Sequence, residues 1–221
     1  MVAARRAFLS AGYYGIFGQA LGELCLEYGQ PKAGKPLRLL DAGCGEAGMT
    51  GASQSSSKRR ASRWNWPVLT SQSLPCVWLR RLCPRPVRRG VQFPSAGAHR
   101  LGGCAAHCFS PLRQEEFLRV LRPGGRLIYA VPGAEHLFQM KAVLYEKPYK
   151  NPVQEVEYPG FEAIGEREVS GSITVPAGQL EALFAMTPYY WKTPRDGAAR
   201  LAALPELTTD ISFRFLVFEK K

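Results

Sequence analysis

Apolar residues recur at roughly helical spacing near the start of the chain, at Phe8, Leu9, Ile16, Phe17, Leu21, Leu24 and Leu26, and Gly12, Gly15 and Gly18 interrupt them. This pattern predicts one or two short helices, with the glycines marking a break. After Lys35-Pro36 the short run Leu-Arg-Leu-Leu-Asp-Ala over 37–42 reads as a buried strand, and a glycine-rich turn follows it directly. From Ala47 to about His107 neither a period of two nor one of 3.6 persists, so no element is predicted there. Order returns at Phe109. A helix is predicted over 115–121, with acids in its first turn and Arg122-Pro123-Gly124-Gly125 ending it; the proline presets the turn and glycine takes a positive φ. A buried strand over 127–131 is closed by Pro132-Gly133. A helix over 134–145, a strand over 173–175, a helix over 179–186 and a β run over 211–218 complete a βαβ pattern, which implies an α/β fold.

Length and composition narrow the picture. With 221 residues and 46% hydrophobic content, the chain suits one α/β domain of ordinary size, with or without a small appendage. The N-terminal stretch MVAARRAFLS lacks the apolar core of a secretion signal, and no apolar window reaches the ~18 residues a membrane span needs. The expectation is a soluble intracellular protein, with no membrane partner and no disulfide scaffold.

Charge changes the picture because of where it lies. The chain carries 29 Lys and Arg against 18 Asp and Glu, a formal net charge of +11. No acid occurs between Glu46 and Glu115, while eleven bases do, from Lys58 to Arg113, so the whole excess sits in one window. In the same window Ser55-Ser56-Ser57-Lys58-Arg59-Arg60 reads like a polar linker, while Trp64, Trp66 and Trp78 with prolines at 67, 75, 84, 86 and 94 resemble neither a core nor a typical linker.

The candidate chemistry starts where the first strand ends. Asp41-Ala42-Gly43-Cys44-Gly45-Glu46 sets glycines where a cofactor must approach the backbone closely and a side chain would collide with it. A tight strand-to-helix turn uses the same residues, and dinucleotide folds and S-adenosylmethionine-dependent methyltransferases share the pattern. The order helix, Pro-Gly-Gly turn and strand over 115–131 is typical of the fifth strand of class I methyltransferases, so together the two signals favour S-adenosylmethionine over a nicotinamide.

A more specific resemblance rests on six blocks: A-R-R-A-F-L-S-A-G-Y-Y (4–14), L-D-A-G-C-G-E (40–46), F-S-P (109–111), L-R-P-G-G (121–125), P-G-A-E-H-L-F-Q-M-K (132–141) and A-M-T-P-Y-Y-W (185–191). In this order they resemble the large-subunit (23S) ribosomal RNA guanine-N1 methyltransferases. The resemblance covers the first 46 residues and everything after about 108. It implies a class I, Rossmann-like methyltransferase sheet, S-adenosylmethionine as cofactor, and methyl transfer to N1 of a guanine in a ribosomal RNA hairpin, in the cytoplasm or in an organelle such as the plastid. Cofactor contacts carry over onto Tyr14, Gly45, Glu46 and His136, with Asp41 and Gly43 completing the glycine motif. Tyr14 would supply an aromatic wall, Gly45 close backbone approach and Glu46 an acceptor, while His136 would lie at a helix start after the fifth strand. Tyr14 as a core aromatic and His136 as a capping histidine remain alternatives. The segment Met186–Trp191 would either stack on an extruded base or pack behind the sheet. No residue is assigned as the base that takes the N1 proton.

The chain also departs from the family. The resemblance implies an N-terminal zinc module of cysteines and a histidine, of which nothing is matched here, and no C-x-x-C occurs. Cys104 and Cys108 with His99 and His107 are the local cluster of ligand types, read as free cysteines with no metal assigned. The acid expected at the end of the second strand to hold the ribose, and a further acid before F-S-P, both fall in the acid-free window. The turn reads E-A-G where the family has E-G-Y.

We read that window as coding sequence translated out of frame. Codons can be chosen for Leu-Thr-Ser-Gln-Ser-Leu-Pro-Cys-Val-Trp-Leu-Arg over 69–80 that, begun one base earlier, give Leu-Asp-Ile-Ser-Lys-Pro-Ala-Val-Arg-Leu-Ala-Ala. That is a second strand, a ribose acid and the start of a helix. On this reading the net charge says nothing about nucleic-acid binding, although a basic patch ordinarily would. The chain divides into 1–46 (N-terminal helices, first strand and glycine motif), 47–108 (an atypical basic segment) and 109–221 (the C-terminal half, with elements facing the RNA base). The sheet is expected to be disrupted at its centre, without its second strand and without its third or fourth. The alternatives in function are a non-enzymatic, basic RNA-binding remnant and a small-molecule methyltransferase on the same core.

Overall fold

The computed structural model describes residues 2–29, 37–42, 64–65, 68–69, 103–109, 112, 114–153 and 157–221. Gly43, Gly45 and Glu46 of the glycine motif, His99, Ser110, Pro111 and nearly all of the re-read stretch 69–80 lie outside them. The elements are α1 (Val2–Ser10), α2 (Gly15–Tyr28), β1 (Leu37–Ala42), β2 (Trp64–Asn65), β3 (Val68–Leu69), β4 (Cys104–Cys108), α3 (Gln114–Val120), β5 (Arg126–Pro132), α4 (Phe138–Leu144), β6 (Phe161–Pro176), α5 (Ala177–Ala185), a 3₁₀ turn (Pro188–Trp191), α6 (Arg195–Ala202) and β7 (Glu206–Lys220). The chain forms two compact units. The first comprises Met1–Ile16, Pro132–Gln154 and Glu168–Phe213, and the second Phe17–Val131, Glu155–Arg167 and Arg214–Lys221.

The second unit is built on a sheet with the strand order β2–β1–β4–β5–β7–β6, β3 also pairing with β1. Strand β1 runs parallel to β2, β3 and β4, and β4 parallel to β5. The amide of Gly124 donates to Lys220 O and that of Lys220 to Gly125 O, which joins β7 to the base of β5. The predicted turn forms there, with Gly124 at φ 73°. The core beside it gathers Phe117, Val120 and Leu121 with Leu127, Ala105, Phe161 and Phe218. Burying each large apolar side chain of this set contributes roughly 1.5–3 kcal/mol before entropy is counted. The expected α/β class is therefore the observed one.

Strand β4 lies where no element was predicted, and of the two strands left open as missing, the third or the fourth, the one between β1 and β5 is present. All five residues of Cys104–Cys108 are buried, and each face of the strand is covered. Its register sets Leu40 and Asp41 beside Ala105 and Ala106, and those beside Leu127 and Ile128. The sequence hid it because Cys-Ala-Ala-His-Cys contains no β-branched residue and no alternation; its strand state comes from two flanking ladders rather than from intrinsic preference. His107 is stacked on Tyr129, with ring centroids 5.5 Å apart, and meets Phe117 edge-on. Among the described residues no three His, Cys, Asp or Glu side chains converge as metal ligands. Likewise, no described helix is long and apolar enough to cross a membrane.

The first unit joins the remaining lengths of β6 and β7 to four helices. Within it α1 packs on α5, and α6 packs on both α4 and α5. The predicted break between the first two helices falls at Gly12, whose φ of 85° suits glycine and whose carbonyl accepts from the Gly15 amide.

Candidate functional site

Asp41 and Ala42 end β1 at the point where the strand order of the second unit reverses, β4 lying on one side and β3 on the other. In open α/β sheets, ligands bind outside the carboxyl ends of the strands at such a switch point. This is the observation that fits the expected cofactor, because the glycine motif 43–46 leaves β1 from that end. Next to it, Phe109 follows β4 with φ 55°, a left-handed conformation that costs a residue bearing Cβ about 1 kcal/mol or more. Its amide donates to Ala130 O and its ring lies 5.4 Å from that of Phe17. Phe109 is the first residue of the F-S-P block, and sequence gave no sign of its backbone strain.

In the first unit the structure brings Tyr14 and His136 together, 122 positions apart in sequence, with Tyr14 Oη 3.1 Å from His136 Nε2. Both are buried. The Tyr14 ring meets Phe8, His136 and Phe213 edge-on at centroid distances of 5.4, 5.7 and 4.9 Å. The amide of Ser212 donates to His136 Nδ1 at 3.2 Å. A neutral imidazole that accepts at Nδ1 carries its proton on Nε2, so Nε2–H donates to the Tyr14 hydroxyl oxygen. The hydroxyl hydrogen of Tyr14 is then left for an acceptor other than this histidine. Burial pushes the phenol pKa up, helped by the neighbouring Tyr189 and opposed by Arg5, so Tyr14 stays protonated. Burial likewise lowers the His136 pKa to about 4, helped by the charge of Lys141. At neutral pH the pair is an uncharged donor on an uncharged ring.

The chain around His136 is held residue by residue. The Gly133 amide donates to Ser212 O, and a Cβ at Gly133 would lie 2.9 Å from Ser212 Cβ and 3.0 Å from Glu168 Oε1, so only glycine fits. Asn151 Nδ2 donates to the carbonyls of Gly133 and His136 at 2.8 and 3.3 Å. Leu137 takes φ 56° with its amide donating to Asp210 O, and Gln139 exchanges hydrogen bonds with the Asp210 amide and carboxylate. Lys141 is fully buried, donating from Nζ to Tyr149 O at 3.0 Å and Asn151 Oδ1 at 2.6 Å, over the rings of Tyr149 and Tyr189. Burial lowers its pKa, opposed by Glu135. These bonds give Gly133, His136, Leu137, Gln139 and Lys141 of the P-G-A-E-H-L-F-Q-M-K block a partner. Sequence reasoning reached His136 but missed Lys141, Asn151, Ser212 and Phe213. The lysine stood within the quoted block; the other three carry no signal of their own.

The low pKa of His136 gives a pH prediction. The unfolded state takes up a proton near 6.5 and the folded state near 4, so this contribution is complete above the unfolded value and is lost as pH falls through that window. Roughly 2 kcal/mol should be gone at about pH 5. Urea unfolding at about pH 7.5 and about pH 5 measures it, and His136→Asn should flatten the difference. An equal difference in that variant would place the proton uptake elsewhere.

Compared with known proteins, the chain matches no family model. It is similar to the 23S rRNA (guanine(748)-N(1))-methyltransferase of Streptomyces fradiae, at 27% identity over 96% of this chain and 78% of that protein. It is also similar, at 29% identity over 95% of this chain and 75% of that protein, to a Micromonospora griseorubida protein provisionally named a 23S rRNA (guanine-N(1)-)-methyltransferase. Among solved structures, a Bacillus halodurans protein provisionally named a methyltransferase aligns with a TM-score of 0.50 at 11% identity, over 91% of this chain and 99% of that one. The MccD protein aligns with a TM-score of 0.51 at 12% identity, over 92% of this chain and 97% of that one. The fold is therefore the Rossmann-like one of the methyltransferases, and the resemblance to the 23S rRNA guanine-N1 enzymes runs through nearly the whole chain.

Proposed function

We infer, for a chain whose sequence relatives are 23S rRNA guanine-N1 methyltransferases and whose sheet is Rossmann-like, that it is an S-adenosylmethionine-dependent methyltransferase acting on N1 of a guanine in a large-subunit ribosomal RNA hairpin. One observation carries the reading: similarity to two proteins named for that reaction extends over about 95% of the chain. The buried Tyr14–His136 pair supports it. The cofactor supplies an electrophilic methyl group on a positively charged sulfur. A neutral imidazole suits a site for a cation, since an imidazolium would repel it. Tyr14 would offer its hydroxyl hydrogen and an aromatic wall, and His136 would hold that hydroxyl in place through Nε2–H. Gly43 and Gly45 would admit the cofactor to the backbone, with Glu46 as an acceptor and Asp41 anchoring the turn at the end of β1. Catalysis then rests on orienting guanine N1 toward the methyl group while a nearby acceptor takes the N1 proton. Such a substrate sets the work where ribosomes mature, in the cytoplasm or a plastid.

The test is methylation of 23S rRNA hairpin transcripts by the full chain with isotopically labelled S-adenosylmethionine. The expected result is label on one guanine, a reverse-transcription stop at that position because N1 lies on the pairing edge, and loss of both when that guanine is replaced by adenine. Label in small acceptors but never in RNA would favour a small-molecule enzyme. Salt-dependent RNA binding without any uptake of S-adenosylmethionine would leave only a binding remnant.

A further inference from the structure

The 3₁₀ turn Pro188–Trp191 holds two aromatic rings out in solvent, Tyr190 at 45% and Trp191 at 73% exposure. A tryptophan left in water forgoes the apolar burial that normally keeps it inside or at an interface. The turn is nonetheless firmly built. Thr187 Oγ1 donates to Phe184 O at 2.8 Å, the amides of Lys192 and Thr193 donate to Tyr189 O, and Thr193 Oγ1 donates to the same carbonyl at 2.9 Å. From the buried Phe184 the rings step outward: Tyr190 is tilted against it at 5.3 Å, and Trp191 stands edge-on to Tyr190 at 5.1 Å and 86°. Rings fixed in this way lose little conformational freedom when something stacks on them. The residues beyond the turn are basic: Lys192 and Arg195 are exposed, with Asp196 the acid among them. The guanidinium of Arg200 is engaged elsewhere, donating to the carbonyls of Val143 and Leu144.

We propose that this turn is a stacking platform for an unpaired base of an RNA substrate, with Trp191 as the outermost contact and Lys192 and Arg195 facing the adjacent phosphates. The proposal rests on the RNA reading above and names the surface that would receive the RNA. Of the two alternatives the sequence left open for 186–191, packing behind the sheet is excluded for Tyr190 and Trp191 by their exposure, while Thr187 is buried. Two rings beside two cations form a small area with the charge of a nucleic-acid contact, because proteins that bind single strands combine base stacking on aromatic faces with cations along the backbone.

The experiment measures binding of the full chain to a labelled RNA hairpin with an unpaired guanosine in its loop, and to a blunt duplex of the same composition, by fluorescence anisotropy. Trp191→Ala should weaken hairpin binding about tenfold to a hundredfold, leave the duplex nearly unaffected, and leave uptake of S-adenosylmethionine by calorimetry unchanged. Trp191→Phe should restore most of the hairpin affinity, and Lys192→Gln with Arg195→Gln should lower the salt slope by about one to two. Hairpin binding by Trp191→Ala equal to that of the parent, or an equal loss on hairpin and duplex, would overturn the platform while leaving the RNA reading standing. A parent chain that takes up S-adenosylmethionine but binds neither RNA would overturn that reading and the platform with it.

Discussion

Replacing Tyr14 by alanine is expected to cost roughly 3–5 kcal/mol of stability, the range for deleting a large buried aromatic. The ring is only 7% exposed and fills the space between Phe8, His136 and Phe213. Tyr14→Phe separates ring from hydroxyl. It keeps the edge-on contacts but removes the acceptor of His136 Nε2–H, and a buried donor left unpaired costs about 1–3 kcal/mol. The same variant should weaken uptake of S-adenosylmethionine about tenfold, the equivalent of one lost hydrogen bond of about 1.4 kcal/mol. Urea unfolding and calorimetry read the two effects separately. If Tyr14→Phe is as stable as the parent, the hydroxyl does not satisfy the imidazole; if stability falls but cofactor uptake is unchanged, Tyr14 is a core aromatic, as its sequence also allowed.

The second large effect is expected at Lys141. Lys141→Ala removes three fully buried methylenes and two hydrogen bonds from Nζ, so a loss of about 3–5 kcal/mol follows from the cavity and from the acceptors left behind. Lys141→Met, which fills most of the space without a donor, should cost only about 1–3 kcal/mol. Asn151 links this to the site, because its Oδ1 accepts from Lys141 while its Nδ2 holds the carbonyls of Gly133 and His136. Freeing Asn151 should therefore speed amide exchange over 133–137 and 149–151 in both variants. Unchanged exchange in that stretch would show that Lys141 packs α4 without holding the turn that carries His136.

Local signals in the sequence reached elements marked by a helical period, a short apolar run or a glycine turn. Helices α1 and α2 with their glycine break, β1, α3 with its Pro-Gly-Gly turn, and β5 all carry such a pattern. Strand β6 was reached only over Ile173–Val175 although it spans Phe161–Pro176, because Glu162, Glu166 and Glu168 occupy exposed positions and Gly165 and Gly171 half-buried ones, which dilutes the alternation. Helix α6 was missed since its buried residues are only Gly197 and Leu201, too few to mark a stripe. Strand β4 was missed because small residues buried on both faces look like any irregular segment.

Of the site, the sequence by itself determined the residue types and the order of their blocks, and with them the likeness to guanine-N1 methyltransferases that the comparisons bear out. It also settled that β1 ends in a glycine motif, since a glycine's conformational freedom is a property of the residue. Only the tertiary structure decided that β4 lies between β1 and β5, that His136 donates to Tyr14 rather than accepting from it, and that Lys141 is buried while Trp191 is not. The reason is physical. Periodicity tells that a face is covered but not by what, and a hydrogen bond across 122 residues exists only after sheet order and strand register have brought its two ends within reach.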